Sequence, residues 1–187
     1  MGISSAWRRG AFLLPVLVAI AAAVVPLRGA HAQGDEFAIK AAFLYKFGDY
    51  VEWPPAAFEA PTAPVNLCVV GDDPFGPVLD RTVSGEKIAG RPIAVQRIAV
   101  AEKGMRCHIL YIAGSARQSV AQALEAVQGT PVLTVTDSAR AGGVGIVHFV
   151  RQGNRVRFEI DDDAAEENAL AISSKLFPLA SAVKSRK

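Results

Sequence analysis

Strand-like and helix-like segments alternate through the middle of this 187-residue chain. Helical segments are predicted at residues 74–83 and 116–127, each directly after a turn rich in Gly, Asp or Ser. Strands that alternate with helices are typical of a parallel sheet with helices on both faces. Right-handed crossovers make the first and third strands neighbours. Four short apolar runs are predicted as the strands: residues 65–70, 92–98, 107–112 and 132–135.

An amphipathic helix is predicted ahead of this region, over residues 36–51. Asp35 is placed to cap its start, and Trp53-Pro54-Pro55 stops it, because proline clashes with the preceding helical turn. Lys40 lies off the apolar face in this interpretation. That face is formed by side chains three or four residues apart: Ile39, Phe43, Phe47, Tyr50 and Val51.

The pattern changes after residue 140. Two alternating runs, 145–151 and 155–160, flank Gln152-Gly153-Asn154, which predicts a β-hairpin with a short glycine turn. We expect this hairpin to form an antiparallel edge of the sheet. A helical region is predicted from Ala164, with an apolar side that continues towards Val183. The fold class is therefore α/β: a single domain with a mostly parallel sheet flanked by helices, followed by a C-terminal antiparallel hairpin and helix.

The first 32 residues have the three parts of a signal peptide in the right order. Arg8 and Arg9 form a positive region, residues 11–25 are apolar, and Ala30-His31-Ala32 supplies small residues before a cleavage point at Gln33. The alternative is an uncleaved anchor, but the apolar run is shorter than the roughly 20 residues that span a bilayer. We expect residues 1–32 to be a cleaved signal peptide for the general secretory route, and residues 33–187 to be one periplasmic domain.

Removing the signal changes the charge balance. The chain has 20 Lys and Arg against 18 Asp and Glu, and three of the basic residues (Arg8, Arg9 and Arg28) precede Gln33. The mature chain then has 17 basic and 18 acidic residues, a net charge of −1. A basic surface for nucleic acid is therefore not expected.

Cys68 and Cys107 are the two cysteines of the chain. In an oxidising compartment an isolated pair is interpreted as one disulfide, provided that the strands that carry the two residues are neighbours. Two buried free thiols are the alternative.

The loop Gly71-Asp72-Asp73-Pro74-Phe75-Gly76 follows the first strand, where ligands bind in open α/β sheets. Asp72 and Asp73 are therefore candidate ligand-binding residues. They can equally serve the start of the following helix, with Pro74 in its first turn. The loop lacks the Gly-x-Gly-x-x-Gly spacing of a phosphate-binding turn.

Other polar residues give no catalytic set. Asp161, Asp162 and Asp163 are interpreted as the acidic start of a helix rather than a metal cluster. His108 and His148 lie far apart in predicted strands, so neither a zinc site nor a cofactor site is expected. Glu159 is either an exposed edge carboxylate or a polar group beneath the C-terminal helix. The sequence predicts a protein that is not an enzyme.

In their order along the chain, several segments resemble the YfiR family of periplasmic proteins. Each segment is weakly specific, whereas their order together with the signal peptide is characteristic. The matching segments are AAFLYKF (41–47), VEWP (51–54), LCVVGDDPFG (67–76), CHILYI (107–112), VLTVTD (132–137), GG (142–143), VRFEI (156–160) and LAISSKL (170–176).

The resemblance implies a function that composition alone does not. Family members are periplasmic repressors that bind the periplasmic sensor region of an inner-membrane diguanylate cyclase and so restrain cyclic di-GMP signalling and biofilm formation. An OmpA-type outer-membrane lipoprotein or a redox change at cysteines can release the cyclase, and the domain tends to form a homodimer. The resemblance extends to the pair Cys68 and Cys107, but a second cysteine pair near the hairpin is absent here, and Asp161 stands where Asn is common.

Three hypotheses follow. The first is a repressor of a membrane signalling protein, which requires an exposed apolar patch. The second is a periplasmic small-ligand-binding module that uses the Asp72-Asp73 loop, and the third, ranked last, is an uncharacterised enzyme. For the first, the candidate partner-binding residues lie on the hairpin and the C-terminal segment, with ordinary core packing as the alternative for each: Phe149, Glu159, Ile172, Leu176 and Phe177.

Overall fold

The structure is a computed structural model that describes residues 28–185 of the chain. Residues 1–27, which hold most of the expected signal peptide, lie outside the described residues. Four α-helices are present in the described part: α1 Arg28–Phe47, α2 Pro77–Val83, α3 Val120–Val127 and α4 Asp162–Glu167. The strands are β1 Val51–Glu52, β2 Val65–Gly71, β3 Lys87–Ile88, β4 Arg91–Ile98, β5 Ile109–Gly114, β6 Leu133–Asp137, β7 Val147–Gln152, β8 Arg155–Asp161, β9 Ala171–Ile172 and β10 Ala182–Lys184.

Eight strands form one mixed sheet in the order β10-β8-β7-β6-β5-β2-β4-β3. The five central strands, β4, β2, β5, β6 and β7, are parallel, which confirms the α/β fold class. The predicted first and third strands, β2 and β5, are neighbours, as right-handed crossovers require. β1 and β9 pair separately as a small antiparallel sheet.

Helices cover both faces of the large sheet, as predicted. On one face α1 and α2 pack over a core that contains Leu44, Phe47, Leu79, Tyr111 and Phe149. On the other face α3 packs over a smaller core around the cysteines. Ser119 begins α3 with a capping box, in which its hydroxyl accepts from the N–H of Gln122 and the Gln122 side chain accepts from the N–H of Ser119.

The first helix differs from its predicted bounds of 36–51. α1 begins at Arg28 and ends at Phe47, and a 3-10 turn (Gly48–Tyr50) then leads into β1. Asp35 therefore lies inside the helix and does not cap it. Val51 leaves the helix because it pairs with Ile172 of β9, a contact between distant parts of the chain that local periodicity does not report.

The hairpin is present, but it is not the edge of the sheet. β7 and β8 pair antiparallel around Gly153, which has a φ of +60°. β10 then adds in parallel to the free side of β8 and becomes the edge strand. The prediction that the hairpin forms the edge of the sheet was therefore wrong, because Ala182–Lys184 adds one more strand beyond it.

The C-terminal helix is much shorter than the predicted region from Ala164 to Val183. Asp161 caps α4 by accepting from the N–H of Ala164 at 3.1 Å, which confirms the capping interpretation of the three aspartates. A Schellman motif ends the helix, because Leu170 N–H donates to Ala165 and Ala169 N–H donates to Glu166. The apolar residues beyond it belong to β9, a 3-10 turn (Phe177–Leu179) and β10.

Candidate functional sites

A disulfide joins Cys68 in β2 to Cys107, which lies just before β5, with their Cα atoms 5.9 Å apart. This confirms the first of the two interpretations of the cysteine pair. Both residues are buried in the core beneath α3, together with Leu110, Val120 and Val127. The bond closes a loop that contains α2 and β4, and its burial keeps solvent reductants away from the sulfur atoms.

His108, the residue after Cys107, holds the surface loop that contains Ala57 and Phe58. Its Nδ1 accepts from the N–H of Asn66 at 3.0 Å, so Nε2 carries the proton and donates to the carbonyl of Ala57 at 3.1 Å. The ring stacks on Phe58 with 4.3 Å between the centroids. Burial lowers the pKa of His108, and the guanidinium of Arg91 lowers it further.

The Asp72-Asp73 loop is organised mainly as a turn. Asp73 accepts from the N–H of Phe75 at 2.8 Å and from Nε of Arg97 at 2.7 Å, whereas Asp72 is exposed. Since α2 begins at Pro77, three residues later than predicted, neither aspartate caps the helix directly. Arg97 also binds Asp80 in α2, and this pairing lowers the pKa of that carboxyl group.

The order in which successive strands join the sheet reverses between β2 and β5. β4 lies on one side of β2, whereas β5 and β6 lie on the other side. A crevice at such a switch point is the usual ligand position in open α/β sheets. Here the N–H of Asp72 donates to the carbonyl of Gly114 at 3.0 Å and joins the two strand ends. A Cβ on Gly71 would collide with that carbonyl oxygen, so the backbones approach as closely as glycine allows. A cavity of about 350 Å³ opens elsewhere, between α2 and β4.

A buried ionic cluster lies at the carboxyl end of β6. Lys40 is 1% exposed, and its Nζ is 2.5 Å from both Glu36 Oε1 and Asp137 Oδ2. The Tyr111 hydroxyl donates to Asp137 Oδ2 at 3.3 Å, and burial followed by the Asp137 charge raises the pKa of Tyr111. Arg151 reaches the other oxygen of Glu36 at the surface. The cluster ties α1 to the sheet.

Sequence reasoning missed this cluster. Lys40 was expected to lie off the apolar face of the first helix, whereas it is among the largest fully buried side chains. The single available signal was Asp137 at the end of an apolar strand, and nothing local links Asp137 to Lys40. Ile39, assigned to the apolar face, is instead 47% exposed.

The candidate partner-binding residues occupy three environments. Phe149 and Leu176 are buried in the main core, and Phe149 contacts Phe43 and Phe47 of α1. Ile172 and Phe177 are half-buried at the core margin. Glu159 is half-buried on the opposite face of the sheet, in register with His148 on one side and Ala182 on the other. The structure therefore does not bring all five side chains together.

A model of the YfiR/HmsC-like family matches residues 37–181, from the middle of α1 to the residue before β10. The chain belongs to the YfiR/HmsC-like family. This family consists of periplasmic regulators of diguanylate cyclases and is regulatory rather than catalytic. No curated protein matches the chain.

Three polar clusters stand out in the YfiR/HmsC-like fold of this chain. Within residues 36–185, His, Cys, Asp and Glu side chains do not gather in a group of three or more that could hold a metal ion. Among the helices in the described part of the chain, none has the length and hydropathy needed to cross a bilayer. The polar clusters around Lys40, His108 and Arg97 join secondary-structure elements to one another.

Proposed function

We propose that this protein binds the periplasmic sensor region of an inner-membrane diguanylate cyclase and holds the cyclase inactive, which lowers cyclic di-GMP signalling and biofilm formation. The family match over residues 37–181 carries the proposal, because it covers seven of the eight strands of the large sheet and most of the helical residues rather than one short motif. A repressor of this kind acts by occupying a surface, so it needs no catalytic group.

The proposal places the domain in the periplasm after cleavage of residues 1–32. The buried Cys68–Cys107 disulfide supports this location, because disulfides persist in oxidising compartments. An OmpA-type outer-membrane lipoprotein is the proposed partner for release, and a homodimer is the proposed assembly. The single cysteine pair leaves any redox control to one buried bond.

The proposed docking surface is the C-terminal segment at residues 172–179. Leu179 is 52% exposed, and the half-buried Ile172 and Phe177 lie close to it along the chain. An exposed apolar group of this kind is what an interface needs at its centre. Phe149 and Leu176 are buried in the core and do not form part of this surface, while Glu159 lies on the other face of the sheet.

Co-purification tests the proposal. The exported protein is produced together with each inner-membrane diguanylate cyclase of the source genome that has a periplasmic region, and binding and cellular cyclic di-GMP are measured. We expect one cyclase to co-purify and cyclic di-GMP to fall. Leu179→Asp should weaken binding by about 10-fold or more, since burying a leucine contributes about 1.5–3 kcal/mol.

Val144→Asp is the matched control. Val144 is 63% exposed and lies in the loop before β7, away from the C-terminal segment, so this variant should bind like the parent protein. Capture of none of the cyclases, with unchanged cyclic di-GMP, would contradict the proposed function. Equal loss of binding in both variants would contradict the proposed docking surface.

A further inference from the structure

One long edge of the large sheet is left without a partner strand. β3 pairs with β4 only through Lys87–Pro92 and Ile88–Arg91. Beyond Pro92, β4 continues to Ile98 with β2 on its inner side and no strand on its outer side within residues 28–185. The backbone hydrogen bonds found outside the sheet do not involve residues 93–98 either.

Strand alternation determines which backbone groups face this open edge. The two-residue turn between Ile88 and Arg91 makes these residues a hydrogen-bonded pair. The backbone N–H and C=O groups of Arg91 therefore point outward, towards β3. The same alternation turns the N–H and C=O groups of Ile93, Val95 and Arg97 outward.

The hydrogen bonds of β2 independently assign the same residues of β4 to the open edge. The carbonyl of Asn66 accepts from the N–H of His108 on the β5 side, so Leu67, the next residue, faces β4. Leu67 is in register with Val95, and a parallel ladder then joins it to Ala94 and Gln96. The backbone groups of Ala94 and Gln96 therefore point inward to β2, and those of Ile93, Val95 and Arg97 point outward.

The cavity of about 350 Å³ lies directly beside this edge. Its volume is at the lower end of ligand pockets and suits one or two side chains. Val83, Ile93 and Val95 supply the apolar part of the lining, and the charges at the rim are balanced, because Asp80 pairs with Arg97 and Glu86 stands beside Lys87. The remaining lining residues are Ser84, Gly85 and Pro92.

We propose that the groove between β4 and α2 binds an extended polypeptide segment that adds as a strand to the open edge of β4. The unpaired outward N–H and C=O groups specify a peptide backbone, as in β-strand addition. The cavity takes one aliphatic side chain of the segment, which packs against Val83, Ile93 and Val95. The groove is separate from the C-terminal segment proposed to contact the cyclase.

A nonapeptide library displayed on phage, panned on the whole exported protein, tests this inference. We expect the selected peptides to share an aliphatic residue. For the best peptide, methylation of alternate backbone nitrogens should reduce affinity at least 10-fold, because it removes ladder hydrogen bonds and keeps the side chains. Ser84→Trp, which fills the cavity, should have a similar effect, whereas Ser138→Trp at a distant exposed position should have none.

Amide hydrogen exchange provides the second measurement. In the free protein the amides of Ile93, Val95 and Arg97 should exchange at least 10-fold faster than those of Ala94 and Gln96, and the bound peptide should remove this difference. Failure to select any peptide, or peptides insensitive to Ser84→Trp, would overturn the proposal. Slow exchange of the outward amides that speeds up on dilution would show that a second copy covers the edge, which would also overturn it. Cyclase binding by Ser84→Trp should remain unchanged, so this result is independent of the proposed function.

Discussion

Removal of the Cys68–Cys107 disulfide should destabilise the fold chiefly through the unfolded chain. The bond links residues 39 apart in sequence, so the oxidised unfolded chain is restricted to conformations that keep this loop closed. In the chain-entropy description, a loop of this length accounts for about 4 kcal/mol at 25 °C. The Cys68→Ala/Cys107→Ala double variant should lose a comparable free energy of unfolding.

Urea unfolding, followed by circular dichroism, measures this loss. With a slope of about 2 kcal/mol per molar urea, a loss of 4 kcal/mol lowers the midpoint by about 2 M. The slope itself should rise in the double variant, because its unfolded chain exposes more surface. Parent protein that is reduced while unfolded and kept reduced, with free thiols, should lose a similar free energy of unfolding.

Two results would refute this reasoning. A double variant within about 1 kcal/mol of the oxidised parent would show that the closed loop does not restrict the unfolded chain as assumed. Rapid alkylation of both cysteines in the native protein after mild reductant would contradict the burial of the bond, because Cys68 is 0% and Cys107 is 7% exposed.

Three further predictions concern the polar clusters and one backbone position. Lys40→Met should cost about 3–5 kcal/mol in urea unfolding, because it leaves buried Asp137 without its cation, and Lys40→Met/Asp137→Leu should cost less than the sum of the single changes. Ala169→Gly should raise the free energy of unfolding by about 1 kcal/mol, and with it the thermal midpoint, because Ala169 has a φ of +55° at the end of α4. An unchanged midpoint would contradict backbone strain at this residue. The lowered pKa of His108 means that it contributes stability above its unfolded pKa of 6.5, and this contribution is lost as the pH falls below 6.5 towards the folded pKa. Unfolding free energies between pH 7.5 and 5 should therefore fall more in the parent than in His108→Asn, and parallel curves would contradict this.

The central strands β2, β5 and β6 could be predicted from sequence because each is a short, largely apolar run that is buried on both faces. β2 at Val65–Gly71 and β6 at Leu133–Asp137 lie within two residues of their predicted bounds. The close packing of β2 against β5 followed from the handedness of crossovers, and with it the proximity of Cys68 to Cys107. These features depend on local composition and on general chain geometry.

The amino-acid sequence by itself thus determined an α/β domain, its central strands and the cysteine pair. Tertiary structure alone decided that Lys40 is buried, because the carboxylates that compensate its charge come from α1 and from the distant end of β6. Tertiary structure also decided the conformation of the C-terminal residues. Their apolar spacing suits a helix, but residues 182–184 form β10 because they pair with the edge of β8. Hydrogen bonds and charge pairs between distant segments outweigh local periodicity at these positions, and a pattern read along the chain does not contain them.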